Sequence, residues 1–373
     1  MKRSVLIALG IATLVKLVLA WFTIGTNDVE TWRAFAYNAR LCRECVYQLA
    51  GPYGDPFNHP PFIIHFLRLI SGAQETFPFW LRLPAILADA GSVFLIARIL
   101  SSISTPILVL LAVNPVSIFI SGFHGNTDPV MIFFVLLSVY LLNGKRLGWA
   151  AAAFGMAINI KVVPLLLVPS ILSYLWSKQS WKAAVIFASI AAAVVLLTSM
   201  PYVFSEPLTI LKATLGYGGM YGKWGTARVL IALSLSPSGH EVAARIMQVV
   251  IIVVTFATAL WLNWRKTDLF VQIGLTFFLF FLLTPALAVQ YLAWPVPFVL
   301  ALGFWWAFVY YASAALYLFL TYNYWSNGQW YFADSHLEPQ WTVASYMAGF
   351  LCWAVCAFIC LRYKHILARS RNV

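Results

Sequence analysis

The chain has 373 residues, of which 62% are hydrophobic and only 10% are charged, and its mean hydropathy is +0.84. This composition excludes a soluble domain of this size and predicts an all-α polytopic membrane protein, because membrane-length apolar segments recur along the chain. The net charge of +12 does not indicate nucleic-acid binding, since the basic residues form short clusters between apolar segments, as in cytoplasmic loops.

The first apolar segment, about residues 4–24, begins after the basic pair Lys2 and Arg3. It lacks a small-residue cleavage site, so we interpret it as a first membrane span that leaves the N-terminus in the cytoplasm. Asp28 and Glu30 follow at the predicted external surface, in a chain with only 12 acidic residues. Carboxylates beside hydrocarbon either cap a short helix or serve a function, and the residues alone leave both interpretations open.

Residues 25–80 are predicted to form an external loop with two amphipathic helices, over 28–40 and 60–70. Both are too short to cross a bilayer and carry charges, which is typical of helices that lie on the membrane interface. The loop also contains Cys42 and Cys45, a C-x-x-C pair that suits a local disulfide outside the cytosol.

Basic loops between apolar segments predict about twelve transmembrane helices, with both termini in the cytoplasm. After the first, the spans are expected at about 81–100, 104–121, 128–143, 147–160, 162–176, 183–200, 243–262, 269–287, 292–308, 309–323 and 342–361. Two further external loops are predicted over 201–241 and 324–341, within a single polytopic membrane domain of residues 1–373. No internal repeat is evident, which weakens a transporter built from duplicated halves.

In this topology the unusual polar residues lie on the external side, whereas the cytoplasmic side carries mainly Lys and Arg. The external set is Asp28, Glu30, Asp55, His59, His124, Asn126, Asp128, Lys161, Lys223, Arg228, Gln290, Tyr291, Asp334, His336 and Glu338. A site there suits a substrate with a lipid tail. Sugar transfer from a polyprenyl phosphate needs a cation for the leaving phosphate and a carboxylate for the attacking hydroxyl. Asp28 with Lys161 or Arg228 provides that combination.

Several of these residues also have a structural interpretation. Asp128 stands before a proline at a span start, where helix capping is as well supported as a functional role. Lys161 is placed to extend its ammonium to the interface, and Gln290 and Tyr291 suit an aromatic belt. Asp89 lies inside a predicted span and indicates either a buried polar network or proximity to the site.

Four groups of residues, in order along the first 300 positions, form an informative set. They are 27–30 after the first span, 58–62 with 82–89, the turn 123–129 with 155–164, and 290–298. In this order and spacing they resemble the GT-C class of integral membrane glycosyltransferases, especially bacterial mannosyl- and arabinosyl-type members and the mannosyltransferases of glycolipid assembly in the endoplasmic reticulum.

The resemblance implies transfer of a sugar, with inversion, from a polyprenyl-phosphate carrier to an acceptor outside the cytosol. It implies that Asp28 is the general base, that Lys161 contacts the donor phosphate and that Asp128 lies in the second polar turn. Mannose is the sugar that the resemblance favours. His124 and Asn126 replace the commoner Trp and Gln of the class, which leaves the subfamily, and hence the sugar, open.

These inferences predict a glycosyltransferase whose partners are a polyprenyl-phosphate-linked sugar, a glycolipid, glycan or protein acceptor, and membrane lipids. The predicted catalytic residues are Asp28, Glu30 and Asp128, and the predicted donor- or acceptor-binding residues are His59, His124, Asn126, Lys161, Arg228, Gln290 and Tyr291. No cofactor or metal ligand set is predicted, and a divalent cation is left open. The predicted location is a bacterial plasma membrane, otherwise that of the endoplasmic reticulum, with the site on the periplasmic or luminal side. The alternatives are a polytopic transporter or lipid flippase, or another membrane enzyme such as a polymer ligase or phosphotransferase.

Overall fold

A computed structural model of the chain describes residues 2–42, 45–54, 56–204, 207–215, 224–232, 237–337 and 340–369. The described part is mostly helical. Its α-helices, α1 to α17 in chain order, are Arg3–Phe22, Asn27–Leu41, Cys45–Gln48, Phe62–Ile70, Phe77–Ile99, Thr105–Ala112, Pro115–Ser117, Asp128–Asn143, Leu147–Ile160, Val168–Lys178, Trp181–Val203, Pro207–Leu215, Gly225–Ala232, Pro237–Trp264, Leu269–Leu283, Phe304–Trp325 and Val343–Arg369. The predicted external residues Asp55, Lys223 and Glu338 lie outside the described residues.

Seven helical segments of the described chain are long and apolar enough to cross a membrane. They are Arg3–Phe22, Gln74–Ile99, Thr105–His124, Trp181–Tyr202, Arg245–Trp264, Phe304–Trp325 and Val343–Tyr363. Four shorter apolar helical segments accompany them, namely Asp128–Asn143, Leu147–Ile160, Val163–Lys178 and Leu269–Leu283. The protein is therefore an all-α integral membrane protein, as predicted, while the count of about twelve spans stays a prediction.

The two short helices expected in the first loop are present as α2 and α4. In α4, one face of Ile63, Ile64 and Leu67 is buried, while Leu69 on the opposite face is 83% exposed. This distribution follows from the spacing of the apolar residues, which repeats with the helical period. That both helices lie on the membrane interface stays a prediction.

The span predicted over 292–308 is wrong, and with it the hairpin to 309–323. The chain there forms two 3₁₀-helices, Val289–Ala293 and Phe298–Leu302, and α16 then runs continuously from Phe304 to Trp325. Pro295 and Pro297 stand between the 3₁₀-helices, where proline rings prevent a continuous helix. The predicted loop 201–241 also differs, because most of its described residues are helical: they belong to the end of α11, to α12 and α13, and to the start of α14.

The chain divides into two compact units. The first comprises Met1–Leu165, Ile186–Tyr217 and Tyr322–Gln340, and the second comprises Leu166–Val185, Gly218–Thr321 and Trp341–Val373. The single membrane domain of residues 1–373 stays a prediction.

Arg82 of α5 joins three segments of the first unit. Its fully buried guanidinium donates hydrogen bonds to the carbonyl oxygens of Leu19, Thr23, Ile24 and Gly122, with nitrogen–oxygen distances of 3.2 Å to Leu19, 2.8 Å to Thr23 and 2.9 Å to Gly122. These carbonyls belong to the end of α1, the residues after it, and the π-helix Ile118–His124. The buried guanidinium thus provides hydrogen-bond donors for carbonyl oxygens around the end of α1 and in the π-helix. These bonds fix where the chain emerges from the first span.

Asp89 belongs to a buried polar network, one of its two predicted settings. Its Oδ2 accepts from the Lys16 ammonium at 2.9 Å and from the Ser121 hydroxyl. The Lys16 side chain is 4% exposed, so the ion pair links α1 and α5 within the apolar interior.

Candidate active site

Asp28 lies in the first turn of α2, directly after the short strand β1, Gly25–Thr26. Its Oδ2 accepts hydrogen bonds from His124 Nε2 at 3.0 Å and from Asn126 Nδ2 at 3.2 Å. The Asp28 side chain is 33% exposed, whereas that of His124 is 3% exposed. The helix begins after Thr26, which makes no capping hydrogen bond, so Asp28 is oriented by two side chains of a distant segment rather than by capping.

The turn that carries His124 and Asn126 is built to approach α2 closely. It ends the π-helix Ile118–His124, and Gly125 then adopts a φ of 83° in the left-handed region. A Cβ atom at Gly125 would lie 2.6 Å from Cγ2 of Val29, so only glycine fits without displacement. The Thr26 hydroxyl donates to the His124 carbonyl oxygen at 2.9 Å and fixes the turn against the start of α2.

A second short strand pairs with β1. Strand β2, Phe332–Ala333, pairs in parallel with β1, and Ser335 N donates to Asn27 Oδ1 at 3.1 Å. The aromatic stretch predicted as the loop 324–341 therefore contacts the beginning of α2 within the first unit.

The pKa of Asp28 is lowered from its ordinary value of 3.8. Removal from bulk water raises the pKa, but His124, by charge and by hydrogen bond, the Asn126 hydrogen bond and the Lys161 charge together lower it by more. Asp28 is therefore ionised at neutral pH and can accept a proton.

Lys161 and Asp128 form an ion pair in the same unit. Lys161 Nζ lies 3.0 Å from both carboxylate oxygens of Asp128, and the Asp128 side chain is fully buried. Asp128 is the first residue of α8, and Lys161 follows α9 in extended conformation. Because Asp128 holds a cation, its role is not limited to helix capping. The Lys161 charge also contributes to the lowered pKa of Asp28, so the Asp28 carboxylate lies within the electrostatic influence of this cation.

His59 supports the segment that carries Lys161. Its Nδ1 lies 3.3 Å from the Ile160 carbonyl oxygen, to which it donates, and its ring lies 4.6 Å from that of Trp32. Burial, reinforced by the positive charge of Lys161, lowers the pKa of His59 from 6.5 to about 4. A neutral, buried histidine next to Lys161 positions the chain, and its predicted contact with substrate stays a prediction.

Glu30 does not join Asp28. Its carboxylate lies 3.6 Å from the Arg33 guanidinium, and its side chain is 32% exposed. Residues two positions apart in an α-helix are separated by roughly 200° around the helix axis, so the Asp28 and Glu30 side chains point in different directions.

The other three predicted site residues belong to the second unit. Arg228, predicted within the external loop 201–241, lies in α13, and its guanidinium carbon is 3.7 Å from the centroid of the Tyr346 ring. Gln290 and Tyr291 lie in the 3₁₀-helix Val289–Ala293, where the Tyr291 ring stacks on Trp294 at 4.2 Å. Within the second unit, Arg228 and Tyr291 each contact an aromatic ring.

Tyr322 was missed in the sequence. Its hydroxyl lies 2.9 Å from His124 Nδ1, on the opposite side of the imidazole from Asp28. It is one of 17 tyrosines and lies in an apolar segment predicted as a span, so the sequence held no signal for it. Within the described residues, no three His, Cys, Asp or Glu side chains group as a metal site.

The profile of Glycosyltransferase family 87 matches residues 57–285, which is more than half of the chain. The chain belongs to this family. The predicted resemblance to membrane glycosyltransferases and the predicted enzyme class are thereby confirmed. The matched part of this family 87 member includes His59, His124, Asn126, Asp128 and Lys161 but begins after Asp28.

Two curated proteins are similar to part of this family 87 member. The Dol-P-Man:Man(5)GlcNAc(2)-PP-Dol alpha-1,3-mannosyltransferase of Homo sapiens is 27% identical over 94 residues, and the protein of the same name from Mus musculus is 24% identical over 94 residues. Each match covers 25% of this chain and 22% of the relative, so the chain spans about a fifth of the length of these relatives.

Proposed function

We propose that this protein transfers a sugar from a polyprenyl-phosphate carrier to a hydroxyl acceptor, with Asp28 as general base. The observation that carries the proposal is the arrangement of Asp28, whose carboxylate is held by His124 and Asn126 after the first span. The charge of Lys161, in the same unit, adds to the effect of these two residues in lowering the pKa of Asp28. The names of the two mammalian relatives pair Dol-P-Man with a PP-Dol-linked glycan, which supports a lipid-linked donor, mannose as the sugar and a lipid-linked acceptor.

The proposed step is a single displacement. The acceptor oxygen bonds to the anomeric carbon, the bond from that carbon to the phosphate oxygen breaks with its electron pair on the phosphate, and Asp28 takes the acceptor's proton. The configuration inverts. The lowered pKa keeps Asp28 ionised, and the acceptor hydroxyl becomes acidic only as its new bond to the anomeric carbon forms, so Asp28 takes the proton in the transition state. Lys161 stabilises the charge that develops on the leaving phosphate.

Asp128 then serves Lys161 rather than the acceptor. Its fully buried carboxylate contacts Nζ through both oxygens and fixes the ammonium in place. Glu30, paired with Arg33, is not interchangeable with Asp28. Arg228, His59, Gln290 and Tyr291 stay predictions for donor or acceptor binding.

We place this chemistry on the periplasmic or luminal face, with the lipid tail of the donor in the bilayer. Cys42 and Cys45 form a disulfide just after α2, and disulfides persist outside the reducing cytosol. A bacterial plasma membrane is the favoured location, with the endoplasmic reticulum as the alternative.

The decisive experiment is a transfer assay with purified protein and a panel of radiolabelled polyprenyl-phosphate sugars. We expect transfer from the mannose donor. Asp28→Asn keeps the shape of the side chain but removes its basicity, so turnover should fall by roughly 10²- to 10⁴-fold.

Glu30→Gln is the matched control, since it neutralises the other acid of the same helix. It should retain most of the activity, while both variants purify as folded protein. Full activity of Asp28→Asn with loss in Glu30→Gln would move the base to Glu30. Full activity of both would place the site elsewhere.

A further inference from the structure

We infer that Tyr322 is a positioning residue for this reaction, which acts on the Asp28 carboxylate through the imidazole of His124. The inference rests on the proposed role of Asp28 and adds to it a residue far away in the chain. Tyr322 lies near the end of α16, in the part of that helix that belongs to the first unit.

The three side chains form a hydrogen-bonded row. The Tyr322 hydroxyl is 2.9 Å from His124 Nδ1, and His124 Nε2 is 3.0 Å from Asp28 Oδ2. The rings of Tyr322 and His124 lie 5.6 Å apart at an interplanar angle of 26°. Phe123 and Trp325 pack against the tyrosine ring at 5.6 Å and 5.8 Å, and Tyr322 is fully buried. The hydroxyl is therefore held in place by the aromatic packing of its own ring.

The direction of the hydrogen bonds follows from the charges. An ionised carboxylate is an acceptor only, so His124 must carry a proton on Nε2 in order to bond with Asp28. In the other neutral tautomer the Nε2 lone pair would face a negative oxygen. When the imidazole carries a single proton, that proton is on Nε2, so Nδ1 is an acceptor and the Tyr322 O–H is placed to donate to it. The bond at one imidazole nitrogen thus selects the proton position at the other.

The same row determines which carboxylate oxygen reacts. The described hydrogen bonds from His124 and Asn126 both end on Oδ2 of Asp28. These two hydrogen bonds fix the rotation of the carboxylate, and they make Oδ1 the oxygen that takes the proton of the acceptor hydroxyl. If His124 carried its proton on Nδ1 instead of Nε2, it could not donate to Asp28. The orientation of the carboxylate would then be lost without any change in the residues that contact the substrate.

Tyr322→Phe tests the inference, because it removes one oxygen and keeps the ring. We expect kcat to fall about tenfold, which corresponds to the loss of one hydrogen bond, with an unchanged KM for the donor. Tyr310→Phe is the matched control. Tyr310 is a buried tyrosine of the same helix, and its hydroxyl donates to the Leu292 carbonyl oxygen at 2.8 Å. Removal of this hydroxyl should leave kcat unchanged.

Two variants of His124 separate positioning from packing. The amide nitrogen of His124→Gln occupies roughly the place of Nε2 and can still donate to Asp28, whereas that of His124→Asn occupies the place of Nδ1. We expect the glutamine variant to keep more kcat than the asparagine variant. In the asparagine variant, the acidic limb of the kcat/KM profile should also move to higher pH, because the bond that stabilises ionised Asp28 is gone. The other titratable groups that act on Asp28 are Lys161 and His59, which these variants retain.

A double-mutant comparison distinguishes this inference from the proposed function. If Asp28 is the base and Tyr322 acts through it, Tyr322→Phe should cost nothing further in an Asp28→Asn background. Inactive Asp28→Asn with fully active Tyr322→Phe overturns the inference alone, and so do equal losses in the two His124 variants with an unmoved acidic limb. A fully active Asp28→Asn overturns the proposed function instead.

Discussion

The two buried or half-buried carboxylates of the site have opposite environments. Asp128 is fully buried and contacts an ammonium through both oxygens, whereas Asp28 is one-third exposed and accepts from an imidazole and an amide. Different environments separate the roles of paired acids in many active sites. The exposed acid can meet an acceptor hydroxyl, and the buried acid fixes the cation.

The first residue-scale prediction concerns Lys161. Lys161→Met should lower kcat by roughly 10²-fold at saturating donor, because it removes the cation that we propose stabilises the leaving phosphate. Transfer rates measured against donor concentration test it. Lys178→Met removes an exposed lysine and should leave the rate unchanged. An unaltered kcat in Lys161→Met would remove that residue from the reaction.

The second residue-scale prediction concerns the pH dependence of stability. Burial in the folded protein lowers the pKa of His59 from its ordinary value of 6.5, which applies in the unfolded chain, to about 4. Between these values the unfolded state binds more protons, so the free energy of unfolding falls as the pH is lowered through this window, by on the order of 3 kcal/mol at its acid end.

His59→Asn cannot titrate, and its amide can still donate to the Ile160 carbonyl. We expect its melting temperature in detergent to fall less between pH 7 and pH 5 than that of the wild type. Exposed His65→Asn is the control and should follow the wild type. If the melting temperature of His59→Asn fell between pH 7 and pH 5 as much as that of the wild type, His59 would not be the source of this pH dependence.

At the scale of elements, the site depends on where α2 begins. Arg82 fixes the residues between α1 and β1, and the turn after the π-helix Ile118–His124 packs on the first turn of α2. Close contact of two backbones requires small residues and unusual φ angles. Asp28, His124 and Asn126 are thereby positioned by backbone contacts as well as by their own hydrogen bonds.

The element-scale prediction compares two glycines. Gly125 and Gly54 have φ angles of 83° and 80°, but only at Gly125 would a Cβ meet another atom within 4 Å. Gly54→Ala should therefore cost about 1–2 kcal/mol from backbone strain and leave kcat unchanged. Gly125→Ala should cost more and lower kcat as well, because it displaces the turn from Val29. Thermal unfolding and transfer rates measure both effects, and equal losses in the two variants would contradict the argument.

The elements that the sequence predicted well have a clear local signal. Helix α9 has the predicted bounds, Leu147–Ile160, because a basic turn and a proline-rich stretch enclose its apolar residues. The span predicted over 292–308 is wrong because hydropathy cannot distinguish the buried 3₁₀ segments in 289–302 from a spanning helix. The partners of Asp28 were each predicted as polar site residues, but their pairing with Asp28 spans 96 and 98 positions and could not be read from local spacing.

At the scale of the molecule, the helical hairpin of α8 and α9 relates the site to the membrane. Asp128 begins α8 and Lys161 follows α9, and their ion pair brings these ends together. Lys145 lies in the turn between the two helices, about 24 Å away along a helix of 16 residues. That length approaches the thickness of the hydrocarbon core, about 30 Å. We therefore propose that the site and the basic turn lie at opposite membrane faces.

The last prediction is the orientation that follows from this geometry. Basic loops favour the cytoplasm, which places Lys145 inside and the first loop outside. The pairing of Gly25 with Phe332 requires the loop 324–341 to share the side of the first loop. Single cysteines at the exposed positions Arg40, Asn327 and Lys145, in a variant without the five native cysteines, report these sides through a membrane-impermeant thiol reagent.

In intact cells the cysteines at Arg40 and Asn327 should be labelled, and the one at Lys145 should be labelled only after the membrane is permeabilised. Labelling of all three after permeabilisation is the control for accessibility. Opposite sides for Arg40 and Asn327 would contradict the strand pairing, because β1 and β2 could not then meet. Lys145 outside with the other two inside would keep the fold and reverse the orientation, which would move the proposed transfer to the cytoplasmic face.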